Sequence, residues 1–115
     1  MKEITAIIRP QQALATRKAL EEIGITAYTT LRVLGRSRQG GLRYPKKLFR
    51  RSADIRFLPK RLFEVVVDDH QVEAVVSAII KANQTGRIGD GKLFVLPVSE
   101  VCAVRTGERD KESLR

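Results

Sequence analysis

Hydrophobic and polar positions change period along the chain, and the changes mark out its elements. Residues 3–9, Glu3-Ile4-Thr5-Ala6-Ile7-Ile8-Arg9, alternate loosely and predict a first strand closed by Pro10. From Gln11 to Ile23 the apolar positions Leu14, Leu20 and Ile23, with Ala13 and Ala19, recur at helical spacing. Gly24 then stands where a helix-terminating glycine belongs. Residues 25–34 are rich in β-branched and aromatic types and predict a second strand. Leu62 to Val67 is a third, ended by Asp68-Asp69. Asp69 is placed to cap a helix from His70 to Ala82, whose apolar face is Val72, Val75, Val76, Ile79 and Ile80. Residues 92–98 predict a fourth strand, and Val101 to Arg105 a short extra one before a charged tail at 106–115.

The order strand, helix, strand, long loop, strand, helix, strand is that of an α+β ferredoxin-like βαββαβ domain, with both helices on one face of an antiparallel sheet. The second sheet face must then be covered by something else, and oligomerisation is the simplest solution for so small a chain. At 115 residues and 43% hydrophobic content the chain fits one domain with a real core. No apolar run approaches the ~20 residues of a membrane span, and the start of the chain lacks the apolar stretch of a secretion signal. The lone Cys102 excludes an internal disulfide and a cysteine-built zinc site. A cytoplasmic location is expected. Cys102, within Val101-Cys102-Ala103-Val104, reads as a small core residue.

Charge changes the picture only because of where it sits. Of the 22 basic residues, 11 lie between Arg32 and Arg61, against the single acid Asp54. That segment carries +10 and the rest of the chain −1, within a total of +9. Residues 35–60, broken by Gly35, Gly40, Gly41, Pro45 and Pro59, therefore predict a long self-repelling loop that attracts something anionic.

The most informative short motif is Gln84-Thr85-Gly86-Arg87-Ile88-Gly89-Asp90-Gly91-Lys92. Gly86 to Lys92 satisfies G-x-x-x-x-G-K, yet Leu93 stands where a Mg²⁺-binding hydroxyl belongs, and a helix precedes the loop where a P-loop has a strand. It is not a P-loop. Two readings remain: an anion cradle of backbone N–H groups assisted by Lys92, or an ordinary glycine-rich turn.

Five stretches carry a resemblance to a known family: Ala6-Ile7-Ile8-Arg9-Pro10, Gly24-Ile25-Thr26, Phe57-Leu58-Pro59-Lys60, Gln84 to Val95, and Arg105-Thr106-Gly107-Glu108. Together they resemble the PII signal-transduction proteins from Lys2 to Glu108. The resemblance implies a homotrimer with nucleotide sites in the clefts between subunits, taking ATP or ADP and, with Mg²⁺-ATP, 2-oxoglutarate. It implies output through a T-loop after the second strand. Carried onto this chain, Gly89, Asp90, Gly91 and Lys92 match the phosphate loop and Arg105 a phosphate-binding arginine. Thr29, Gly35, Glu64 and Val66 match positions around adenine and ribose. Ser37, Arg38 and Gln39 match the start of the T-loop, where the glutamine helps hold Mg²⁺ and 2-oxoglutarate. Lys60 matches the lysine for the distal carboxylate of 2-oxoglutarate.

The departures matter as much. Ala103 replaces a second phosphate-binding arginine, which opens the ATP, ADP and AMP preference. Gly35-Arg36-Ser37 replaces a more flexible Gly-Phe-Gly, and the uridylylated tyrosine of the T-loop is absent. Ser52, flanked by Arg50 and Arg51, falls near a serine that some relatives phosphorylate. Asn83-Gln84-Thr85-Gly86 and Leu96-Pro97-Val98 look like the nitrogenase-associated branch, with divergent relatives acting on transport or carbon metabolism as the alternative.

Two other function classes compete. A basic loop on a neutral fold also suits nucleic acid, but Tyr44 and Phe49 are a thin supply of aromatics for base stacking. The loop is better matched to an acidic surface on a target enzyme or transporter. As an enzyme the chain is poorly equipped: Asp68-Asp69-His70 reads as cap and solvent-facing groups, and no nucleophile–base–orienter set assembles.

Overall fold

The structure is a computed structural model, and it describes residues 1–36 and 57–109. Four strands, β1 (Lys2–Ile8), β2 (Thr29–Gly35), β3 (Leu58–Val67) and β4 (Lys92–Pro97), form one sheet in the order β2-β3-β1-β4. Every neighbouring pair is antiparallel. Two helices, α1 (Ala13–Glu22) and α2 (Val72–Asn83), pack on each other, and α2 packs on β1. Each helix crosses over between two strands that have a third strand inserted between them, which is the ferredoxin-like split βαβ arrangement.

Alternation decides which face is which. Ile4, Ala6 and Ile8 of β1 and Phe63, Val65 and Val67 of β3 are buried and point toward the helices. They close on Leu20, Ile25, Val75 and Ile79, with Tyr28 tilted against Phe63 at 5.6 Å between ring centroids. The odd-numbered side of β1 and the cross-strand partners it meets make the opposite, open face. There Leu31, Leu62 and Ile7 form one row, and Thr29, Glu64, Thr5 and Phe94 another. Leu31 and Phe94 are each 50% exposed in the isolated chain.

The helices also hold a polar pair inside the core. Asn83 donates from Nδ2 to Thr16 Oγ1 and to the Ile79 carbonyl, each at 2.9 Å, and the Thr16 hydroxyl donates in turn to the Gln12 carbonyl at 2.8 Å. The amide nitrogen ties the end of α2 to the first turns of α1, while Asn83 Oδ1 is buried with no partner among the described residues.

Several sequence expectations need correction. The first helix begins with a 3-10 turn at Pro10–Gln12 and buries Thr16 and Leu20, while Leu14 and Ile23 face solvent. Helical spacing was right, but a two-layer fold covers only one narrow stripe of α1. The second strand begins at Thr29, since residues 25–28 run as coil that drops Ile25 into the core. The third begins at Leu58, so Pro59 and Lys60 belong to the sheet and not to the loop. Asp68, not Asp69, stands at the start of the second helical segment: its N–H donates to Gln71 Oε1 at 3.2 Å and its carbonyl accepts from Gln71 N–H at 2.9 Å. Asp69 instead receives the N-terminal ammonium of Met1 at 3.0 Å.

The fourth strand ends at Pro97. Val101 to Arg105 is not a strand: Cys102 makes one isolated bridge to Arg109, and the segment folds back through Gly107. Cys102 is exposed rather than part of the core, because no described helix covers the chain beyond β4.

Candidate functional site

The glycine loop between α2 and β4 is built around one carboxylate. Asp90 accepts from Thr85 Oγ1 (2.5 Å), from the backbone N–H of Thr85 (2.8 Å) and from that of Gly86 (3.0 Å). Arg9, at the end of β1, closes the arrangement from outside. Its Nη1 donates to Asp90 Oδ1 at 2.7 Å and its Nη2 to the Ile88 carbonyl at 3.0 Å. The loop is thus folded onto the central strand by a bond between residues 81 apart in sequence. Gly86, Gly89 and Gly91 all take positive φ, as such a tight path requires.

These contacts assign Asp90 a job that its position in the motif did not reveal. Its carboxylate is spent inside the loop, where it holds the backbone, while Lys92 leaves the loop on the open face opposite Ile7. Hydrogen bonds from the Thr85 hydroxyl and then the Thr85 backbone N–H, helped by Arg9 and Gly86, hold the Asp90 carboxyl well below the usual carboxylate range. The folded loop therefore releases this proton more readily than the unfolded chain does. Its contribution to stability is complete above the unfolded pKa of about 3.9 and is lost as pH falls from there through the folded value. Asp90→Asn is expected to lower the denaturation midpoint at neutral pH, with the gap to the parent protein shrinking steadily below about pH 4. Denaturant titrations at pH 7, 4 and 3 check this, and a pH-independent gap would contradict it.

The other sequence-derived residues fall into three groups. Thr29 and Glu64 are direct cross-strand partners on the open face, and Val66 lies next along β3 on that same face. Gly35 and Lys60 meet at the loop end of the sheet, where a Cβ on Gly35 would lie 3.2 Å from Lys60 Cγ. Lys60, Gly35 and Lys92 thereby share the sheet end at which β1 finishes. Arg105 sits exposed on the turn of the folded-back C-terminal segment, with no hydrogen bond or ion pair among the described residues. Ser37, Arg38, Gln39 and Ser52 lie outside the described residues.

Sequence reasoning missed Arg9 and Thr85. Arg9 was visible only as the residue before Pro10, and no local pattern pairs it with a loop 81 positions away. Thr85 carried a weak signal, a hydroxyl at the first step of a glycine loop. Among the described residues no cluster of three or more His, Cys, Asp or Glu could hold a metal. No described helix is long and apolar enough to cross a membrane.

This sheet, its paired helices and an anion-type loop at one edge define a ferredoxin-like α+β domain with a candidate site on the uncovered face. Residues 1–108 match the family model described as nitrogen regulatory protein P-II. A nitrogen fixation nifHD1 region GlnB-like protein 2 of Methanosarcina barkeri is 42% identical, with both chains fully covered. Nitrogen regulatory protein P-II 1 of Escherichia coli K12 is 44% identical, over 99% of this chain and 100% of its own. The crystal structure of Arabidopsis thaliana PII bound to citrate superposes with a TM-score of 0.77 at 38% identity, over 97% of this chain and 90% of that one. The chain belongs to the PII family of nitrogen regulatory signalling proteins.

Proposed function

We propose that the protein is a trimeric, non-enzymatic PII regulator that binds adenine nucleotides between subunits and reshapes its basic T-loop to act on a target protein of nitrogen metabolism. The observation that carries the nucleotide reading is the Asp90 clamp. It fixes a glycine-lined backbone beside a free cation, Lys92, so that the cost of ordering the loop is met before a ligand arrives. Lys92 and Arg105 supply charge for phosphates, with Gly89 and Gly91 giving close backbone approach. Thr29, Glu64 and Val66, on the same open face, suit the base and ribose of a nucleotide lying across it. Gln39 and Lys60 would bring Mg²⁺ and 2-oxoglutarate to that nucleotide. The acid–amide–lysine chemistry fits, since an amide oxygen suits Mg²⁺ and an ammonium suits a carboxylate.

The trimer rests on the open face. Ile7, Leu31, Leu62, Phe94 and Leu96 line it, and Leu96 is 42% exposed although it projects from a sheet. An apolar sheet face of this kind is covered in a stable protein. The M. barkeri relative is named for a nitrogen-fixation region and the E. coli relative for nitrogen regulation. These names support the nitrogen reading of the target. The loop charge of +10 supports an acidic docking surface on it.

Isothermal titration calorimetry with ATP, ADP and AMP tests the nucleotide site directly, and absence of binding by all three overturns it. Because the PII resemblance implies a second phosphate-binding arginine at the position of Ala103, ADP or AMP is expected to compete well with ATP. Ala103 is half-buried, and its N–H and carbonyl pin the folded-back segment through Glu108 and Gly107, each at 2.8 Å. Ala103→Arg is expected to raise ATP affinity by about one to two decades, the effect of a charge-assisted hydrogen bond of ~1.5–3 kcal/mol. An unchanged ATP preference would show that Ala103 does not set it.

A further inference from the structure

On the helix-side face, beyond the reach of both helices, Arg32 of β2 stands directly opposite Arg61 of β3. Side chains so paired have Cβ atoms roughly 4.5–5.5 Å apart, and like charges at that distance repel. Among the described residues no acid relieves them, and neither guanidinium has a hydrogen bond or ion pair. Arg61 Nε is buried and has no acceptor among the described residues. The two arginines border a cleft of about 390 Å³ whose walls are completed by Pro10, Val33, Leu34, Pro59 and Lys60. Arg61 is held at its base by the central sheet, since its other cross-strand neighbour is the buried Ile8. A buried N–H without a partner, next to a second guanidinium and Lys60 and between otherwise apolar walls, is an incomplete arrangement with one missing component, an acceptor.

We propose that this cleft binds an oxyanion, a carboxylate or phosphate group, clamped between Arg32 and Arg61. Planar guanidinium forks match both groups with paired hydrogen bonds, which lysines at these positions would not provide. Arg32 and Arg61 project from the sheet face opposite Glu64 and Lys92, so the clamp uses neither the glycine loop nor Lys92 and adjoins the nucleotide site proposed above only at Lys60, which also lines the cleft. The same group can arrive on a small free anion or on an acidic side chain of a bound protein.

The test follows the side-chain Nε–H signal of Arg61 by NMR in the full-length protein. Inorganic phosphate is one probe and a Glu-rich peptide the other, each against sodium chloride at matched ionic strength. A saturable shift with either probe is expected, and the tighter of the two identifies the source. Arg32→Gln is expected to weaken that binding by about tenfold or more, with Arg32→Lys recovering only part of it. Adenine nucleotide affinity is expected to stay unchanged in both variants. Arg32 is exposed, so neither change threatens folding, and circular dichroism verifies this. The proposal is overturned if both probes leave the Arg61 signal unmoved, if chloride moves it equally, or if Arg32→Gln binds as tightly as the parent.

Discussion

Gly91→Ala is expected to destabilise the protein by about 3 kcal/mol or more, and to lower its melting temperature by about 10 °C or more. Two costs combine at this position. Gly91 has φ +110°, which side-chain-bearing residues rarely adopt, and a Cβ there would lie 2.2 Å from the Ile7 carbonyl oxygen. The same Cβ would also meet Ile7 C and Ile8 Cα at 3.2 Å. Relief by movement is blocked, because Ile7 is paired on both sides within the sheet, with Leu62 and Lys92, and Ile8 with Arg61. Gly86→Ala provides the comparison. It too has positive φ, +80°, but nothing lies within 4 Å of its would-be Cβ, so it bears the conformational cost alone, about 1–2 kcal/mol. Thermal melts of both variants decide the matter. Equal losses would mean that the close approach to β1 is unimportant.

Leu62→Glu is expected to abolish assembly and leave a folded chain of 12.9 kDa in light scattering. Leu62 occupies the middle of the open face, between Leu31 on one side and Ile7 on the other. In a trimer built on that face, three unpaired carboxylates would be buried together, at several kcal/mol each. In the isolated chain the same side chain meets water, so the fold is retained. Leu34→Glu is the control: Leu34 is 69% exposed on the helix-side face of β2, opposite Pro59, and its substitution is expected to leave assembly intact. A trimer that survives Leu62→Glu would place the subunit contact elsewhere. Loss of nucleotide binding together with the trimer would support a site shared between subunits.

Much of this protein was legible in its sequence. Period-2 and period-3.6 patterns marked four strands and two helices, because a side chain's burial follows directly from the geometry of its own element. The glycine loop and Lys92 were visible as a motif, and the charge block could be read by counting. Errors gathered where an element's environment, not its own pattern, decides. Val101 to Arg105 is apolar enough for a strand, but it has no neighbouring strand to pair with, so it folds back on itself and leaves Cys102 in solvent. Lys60 looked like a loop residue beside Pro59, yet the ladder with β2 extends through both.

What the sequence determined by itself was therefore the element order, the glycine loop and the uneven charge, all properties of residues close along the chain. Only the tertiary structure decided the rest. It paired Arg9 with Asp90, turned that acid from an apparent ligand group into the loop's internal brace, joined Thr16 to Asn83, and set Arg32 against Arg61 with no counter-charge among the described residues. Each of these depends on strand register and on which sheet face the helices cover. A one-residue slip would send every side chain of a strand to the other face, so no local pattern can specify which distant partners meet.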